Sequence, residues 1–373
     1  MKPATPDAAS NLAPIDFETD IAELPLHGTL PPGLRGTLVR NGPNPLVPRP
    51  GAHWFSGDGM LHAFRIERGR VSYRNRWVRT QRFEAARSSG MNLDRGLQAS
   101  RPDRQLEADD GVANTHVVAH AGRMLALEEA HLPIEVVCGT LETRGVFDFG
   151  GPLGERFTAH PKTDPRTGEM LFFGYGTPEP LSRGMSFGSI SRGGRVQRFE
   201  RFEAPFASMV HDFAITANHV IFPVMPLTAS RERAMAGLPP YAWEPAYGTQ
   251  VGVLPRGGDA SQIVWFRGPP CFVFHTMNAW EEGSSVFVDL MQFERPPLFP
   301  SPDGRPAAGA DETARLTRWR IDLDDPRREF VRMPLGMVTG EFPRIDERRM
   351  GLPYRHGWLV GNVDGVGDPM QPG

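Results

Sequence analysis

Phe272-Val273-Phe274-His275-Thr276-Met277-Asn278-Ala279-Trp280 and Ser285-Val286-Phe287-Val288-Asp289-Leu290-Met291-Gln292-Phe293 flank Glu282-Gly283-Ser284. Aromatic and β-branched residues alternate with others on both sides of a short Gly-containing break, the pattern of a β-hairpin. The same pattern recurs along the sequence. His62–Arg70 and Val71–Thr80 surround Glu67-Arg68-Gly69-Arg70, Thr115–His120 and Arg123–Glu129 flank Ala121-Gly122, and Val210–Thr216 and His219–Pro223 flank Ala217-Asn218. Leu316–Leu323 and Glu329–Met333 flank Asp324-Asp325-Pro326. Helical periodicity is scarce, with Arg231–Gly237 long enough for a turn or two. Hairpins spaced by roughly 50–60 residues are on the scale of propeller blades. The spacing therefore predicts one all-β domain over 26–373, preceded by an Ala/Pro/Asp-rich arm over 1–25.

Composition supports this class. The 41 Gly and 37 Pro in 373 residues are too many for a helical bundle and suit many short strands and turns. A net charge of −3 offers no field for a nucleic-acid backbone, so nucleic acid is excluded as a partner. Cys138 and Cys271 are too few and too far apart for a disulfide framework. The start, Met1-Lys2-Pro3-Ala4-Thr5-Pro6, lacks the apolar core of a signal peptide, and no stretch approaches the ~18 apolar residues of a membrane span. The expectation is a cytoplasmic protein. Two apolar stretches, Pro239-Pro240-Tyr241-Ala242-Trp243 and Pro296-Pro297-Leu298-Phe299-Pro300, leave two readings open, ordinary loop packing first and a rim for peripheral contact with a membrane surface second.

Of eleven histidines, none sits in a close-spaced metal motif, so a metal site would have to be assembled from separate strands. Three share a Phe/Met/Val setting at a strand edge: Phe157-Thr158-Ala159-His160-Pro161-Lys162, Met209-Val210-His211-Asp212-Phe213 and Phe274-His275-Thr276-Met277-Asn278. Their separations, 51 and 64 residues, match the hairpin period. Equivalent positions of different blades converge, and neutral imidazoles converge stably around a metal. Spacing alone leaves open that they are three unrelated core or turn histidines.

The local sequences go further. Arg40-Asn41-Gly42-Pro43-Asn44-Pro45, His53-Trp54-Phe55-Ser56-Gly57-Asp58-Gly59-Met60-Leu61-His62 and Met124-Leu125-Ala126-Leu127-Glu128-Glu129-Ala130-His131-Leu132-Pro133 resemble stretches of the carotenoid cleavage oxygenase family. So do the three histidine segments, Glu341-Phe342-Pro343-Arg344 and Gly351-Leu352-Pro353-Tyr354-Arg355. The resemblance runs from about residue 15 to about 360. It implies a seven-bladed β-propeller and one Fe(2+) per subunit, held by histidines that carboxylates orient from behind. The implied metal ligands are His160, His211 and His275, and the implied orienting carboxylates are Glu129 and Glu341. Glu129 is preferred to Glu128 because the resemblance of Leu125-Ala126-Leu127-Glu128-Glu129 places it there and alternation sends Glu128 to the opposite face.

The implied reaction is a non-haem iron(II) dioxygenase cleavage, in which O2 adds across a conjugated C=C of a carotenoid or apocarotenoid to give two carbonyl products. A stilbenoid or phenylpropene substrate is the alternative, since Thr140-Leu141-Glu142-Thr143-Arg144-Gly145 and Val224-Met225-Pro226-Leu227 resemble the stilbene-cleaving branch. Against it, that branch carries a lysine where this protein has Glu128. The family's fourth histidine and third glutamate find no matching positions before Gly373, and His356 belongs to the Pro-Tyr-Arg motif. The expectation is therefore a propeller lacking its C-terminal strands, with a weakened iron site. A non-catalytic remnant is the rival of a different class.

Overall fold

The structure is a computed structural model that describes residues 13–49, 52–93, 111–151, 153, 156–306 and 313–361. It is all-β: the described residues form five antiparallel sheets of four or five strands and a two-stranded ribbon. Two short α-helices, Gln81–Ser89 and Arg231–Met235, interrupt them. The protein divides after Ala159 into two compact units, residues 13–159 and 160–361 among those described.

The N-terminal unit holds two sheets. The first consists of Thr19–Ile21, Gly36–Pro43, Gly59–Glu67 and Arg70–Trp77, and the second of His116–His120, Arg123–Leu127, Ile134–Val136 and Thr143–Val146. Two of the expected hairpins lie here, and their turns explain why they are tight. Arg68 and Gly69 have φ of 52° and 74°, and Ala121 and Gly122 have 49° and 76°, the doubly left-handed turn whose twist matches that of the flanking strands.

The arm expected over 1–25 contributes a strand. Thr19–Ile21 pairs with Arg70–Trp77, and the fully buried Asn75 amide bonds the Thr19 N–H at 2.7 Å and the Phe17 carbonyl at 2.9 Å. An edge strand held by a buried amide needs no hydrophobic alternation, so composition did not show it. Residues 1–12 lie outside the described residues, as do 98–110.

The C-terminal unit holds three sheets. One comprises Lys162–Thr163, Met170–Tyr175, Gly184–Ile190 and Val196–Glu203, and the next Ala214–Ile215, His219–Val224, Thr249–Pro255 and Val264–Gly268. The last comprises Phe272–Glu282, Ser285–Phe293, Arg315–Asp322, Phe330–Ile345 and Gly357–Gly361. Between the first two lies a phenylalanine core. Phe173 meets Phe213 at 4.9 Å between centroids, and Phe222 meets Phe187 at 5.8 Å and Phe202 at 5.1 Å. Full burial of each such ring contributes about 2–3 kcal/mol.

The expectation of seven blades is corrected: the described residues hold five blade-sized sheets. Seven was what the resemblance implied, and histidine spacing gives only the distance between like points on sheets. The last sheet alone spans residues 272–361, because the sixteen-residue strand Phe330–Ile345 pairs first with Arg315–Asp322 and then, beyond Thr339, with Gly357–Gly361.

Of the two readings of the proline-flanked stretches, packing within the protein is the one the structure supports. Tyr241–Trp243 is a strand paired with Leu227–Ala229, its Tyr241 and Trp243 side chains are buried, and the Trp243 N–H donates to the Pro300 carbonyl at 2.9 Å. Phe299 is buried too, so the two proline-flanked stretches carry aromatics that fill the protein's own interior. No helix among the described residues is long and apolar enough to cross a membrane.

Candidate metal centre

The three histidines singled out by their setting occupy like places in three successive sheets. His160 immediately precedes Lys162–Thr163, His211 precedes Ala214–Ile215, and His275 lies within Phe272–Glu282. Each therefore sits at the first strand of its sheet. At His275 the pairing with Ser285–Phe293 slips twice, between Val273 and Thr276 and again between Thr276 and Asn278. Such bulges re-aim a side chain out of the strict alternation of a strand.

The ligand atoms of the three imidazoles all lie within 4.8 Å of one another. His160 Nε2 is 2.9 Å from His211 Nε2. Two nitrogens bonded to one metal at ~2.1 Å and at right angles would stand about 3.0 Å apart, so this pair is already at ligand spacing. The His275 ring is 5.0 Å from that of His160 and 5.1 Å from that of His211, and nearly perpendicular to both.

His275 Nδ1 lies 2.7 Å from Glu341 Oε2. A carboxylate at that distance assigns the ring proton to Nδ1 and leaves the Nε2 lone pair free for a metal. Glu341 is buried, and Oε2 also accepts its own neighbour's amide, Phe342 N–H, at 2.6 Å. The backbone around it is unusual: Gly340 has φ 146° and Phe342 has φ 56°, and the ladder to Gly357–Gly361 slips between Glu341 and Arg344. This local distortion turns the carboxylate toward His275.

The other oxygen, Glu341 Oε1, is buried with no hydrogen-bond partner among the described residues. A buried carboxylate half satisfied beside three neutral rings is costly unless a positive charge lies near. A divalent cation held by the three Nε2 atoms would supply it. The donor set and the orphaned oxygen thus both fit a metal of the kind the resemblance implies.

Sequence reasoning passed over Asp212, Lys162 and Thr276. Asp212 is buried next to His211, and its carboxylate meets Lys162 Nζ at 2.7 Å and the Thr276 amide and hydroxyl, each at 2.8 Å. The available signal was rarity: the protein has two lysines, and one of them stands two residues after a candidate ligand.

Glu129 belongs to the N-terminal unit, half-buried just past the strand Arg123–Leu127. Its neighbour Glu128 is the more confined carboxylate. Its Oε1 accepts from the amides of Val112 at 2.6 Å and Ala113 at 3.3 Å. Burial alone would raise its pKa, but the nearby His131 charge and these amides outweigh it and hold it at about 2. His356 is exposed, and His160, His211 and His275 form the one metal-competent cluster among the described residues.

A second carboxylate braces the strand that carries His275. Glu281 Oε1 accepts from Thr216 Oγ1 and lies 2.8 Å from His219 Nδ1, and Oε2 accepts from Asn218 Nδ2 at 2.6 Å. Burial pushes the Glu281 pKa up, but His219, Thr216 and Asn218 together bring it down to about 2. A folded-state pKa below the ordinary 4.5 means stability that is present above pH 4.5 and lost as the pH falls toward 2. Glu281→Gln should therefore cost about 1–3 kcal/mol at pH 7. The gap to the native protein should close on acidification, as followed by denaturant midpoints between pH 7 and 3. A gap that is constant with pH would mean that the ionised carboxylate contributes nothing.

Comparison with known proteins agrees with this geometry. The family described as "RPE65: Retinal pigment epithelial membrane protein" matches residues 12–370. The protein is 41% identical to isoeugenol monooxygenase of Pseudomonas nitroreducens, over 98% of its own length and 77% of that relative. It is 32% identical to a carotenoid cleavage oxygenase of Mycobacterium tuberculosis, over 94% of its own length and 76% of that one. The crystal structure of Pseudomonas brassicacearum lignostilbene dioxygenase superposes with a TM-score of 0.91 at 36% identity, covering 98% of this protein and 78% of that one. The protein belongs to the RPE65/carotenoid cleavage oxygenase family, which includes oxygenases that cleave alkene bonds.

Proposed function

We propose that this protein is a non-haem iron(II) oxygenase that cleaves the aryl-conjugated C=C bond of a phenylpropene or stilbenoid with O2. The observation that carries the metal assignment is the convergence of His160, His211 and His275 with Glu341 on the far nitrogen of His275. A ferrous ion held by the three Nε2 atoms would supply the binding and activation of O2. The protein's own part is to keep the ligands neutral and aimed: Glu341 fixes the His275 tautomer, and the buried surroundings of His211 exclude water on that side. Glu129 is proposed, on the resemblance alone, as a second orienting carboxylate.

The substrate assignment revises the carotenoid reading. It is supported by the 41% identity to isoeugenol monooxygenase and the TM-score of 0.91 with lignostilbene dioxygenase, against 32% identity to the carotenoid oxygenase. The atoms balance without a further reductant. Both oxygens of O2 end as carbonyl oxygens, and an aryl–CH=CH–CH3 substrate would give an aryl aldehyde and acetaldehyde.

The test is to load the purified protein anaerobically with Fe(II), count iron per subunit by elemental analysis, and then supply O2 with isoeugenol, a hydroxystilbene or an apocarotenal. The expected result is about one iron per subunit and aldehyde from the arylalkenes. Failure to retain iron would overturn the metal assignment, and cleavage of the polyene alone would overturn the substrate class.

A further inference from the structure

Asp212 contacts all three ligand-bearing segments. Its Oδ1 takes Lys162 Nζ at 2.7 Å and the Phe213 amide at 2.8 Å, and its Oδ2 takes the amide and hydroxyl of Thr276, each at 2.8 Å. Lys162 is two residues past His160, Asp212 is one past His211, and Thr276 is one past His275. Both charged partners are buried, Asp212 at 2% and Lys162 at 9% exposure, and Lys162 Nζ lies 5.8 Å over the Phe213 ring. The Thr276 hydroxyl also lies 3.1 Å from the Phe213 carbonyl. These contacts involve no ring nitrogen of the three ligands.

Ligands on separate strands, 51 and 64 residues apart, must be held within ~0.5 Å of their working geometry. Glu341 fixes the orientation of one ring but not the distances between segments. A buried carboxylate with four donors, drawn from each of the three segments, does set those distances. Because Asp212 and Lys162 cancel, the network adds no net charge beside the metal.

Resting on the metal-centre reading, we infer that Asp212 is a positioning residue that holds the three histidine segments at metal-binding distance. The alternative for a buried ion pair is stability alone, and the two roles separate experimentally.

Co(II) serves as the probe, with the variants Asp212→Ala and Asp212→Ala/Lys162→Met. The single variant leaves Lys162 buried and unpaired, so its metal-free thermal midpoint should fall. The double variant removes both charges and should recover part of that midpoint: the buried charge is gone, while the Phe213 and Thr276 amides stay without their acceptor. Co(II) affinity should nevertheless stay about 10–100-fold below the native value in the double variant, with a changed visible Co(II) spectrum. A double variant that binds Co(II) with native affinity and spectrum overturns the inference and leaves a structural ion pair. Native protein that binds no Co(II) overturns the metal-centre reading, and this inference with it.

Discussion

His211→Ala is expected to empty the metal centre: iron after anaerobic loading should fall from about one per subunit to background, and O2-dependent aldehyde formation should vanish with it. His211 Nε2 is the ligand atom already at 2.9 Å from its neighbour, so the change removes the half of the site that stands closest to coordination distance. The remaining rings of His160 and His275 are 5.0 Å apart and would have to bind the ion as a pair. Losing a ligand exceeds the loss of an orienting partner, so the affinity should drop by more than ~100-fold.

The fold should survive the change, because alanine keeps the backbone and removes a ring that packs edge-on against Phe274 at 5.5 Å. Near-ultraviolet circular dichroism would establish that. His62→Ala makes the comparison, since His62 bonds Tyr73 at 2.7 Å in the N-terminal unit, and it should keep its iron. Iron retained at one per subunit in His211→Ala would sink the three-histidine assignment.

The parts of this centre that sequence could reveal are those where one residue type has few other reasons to occur. His160, His211 and His275 stood out because the hairpin period and an aromatic setting coincided on each, and the resemblance of their segments made them ligands. Glu341 was legible through the segment Glu341-Phe342-Pro343-Arg344. Hairpins with Arg68-Gly69 or Ala121-Gly122 were legible because left-handed turns demand such residues.

Asp212 was not, since an aspartate beside a histidine has many uses and its partners lie far away in sequence. The aromatic stretches stayed open between two readings for the opposite reason. Trp243 and Phe299 carry the same letters whether they face lipid or core, and only tertiary packing places them inside. Nor could spacing count sheets, because the strand Phe330–Ile345 serves two pairings in one run.

That same strand yields the second large effect, Gly340→Ala. Gly340 has φ 146°, a conformation that only glycine adopts readily, and a Cβ there would be driven into the Val360 carbonyl oxygen of the paired strand. Backbone strain and overpacking together should cost on the order of 3 kcal/mol or more. The structure can relieve them only by parting Gly340–Ile345 from Gly357–Gly361 or by turning the backbone at Glu341. Either response moves the carboxylate away from His275 Nδ1, so metal affinity should fall by about 10–100-fold along with the thermal midpoint.

Gly336→Ala on the same strand separates the two causes. Gly336 is also left-handed, at φ 76°, but a Cβ there meets nothing within 4 Å among the described residues. It should cost about 1 kcal/mol and leave metal binding unchanged. If both variants lose metal equally, the effect belongs to general weakening of the strand. If Gly340→Ala alone does, the close approach at Gly340 is what aims Glu341 at the metal centre.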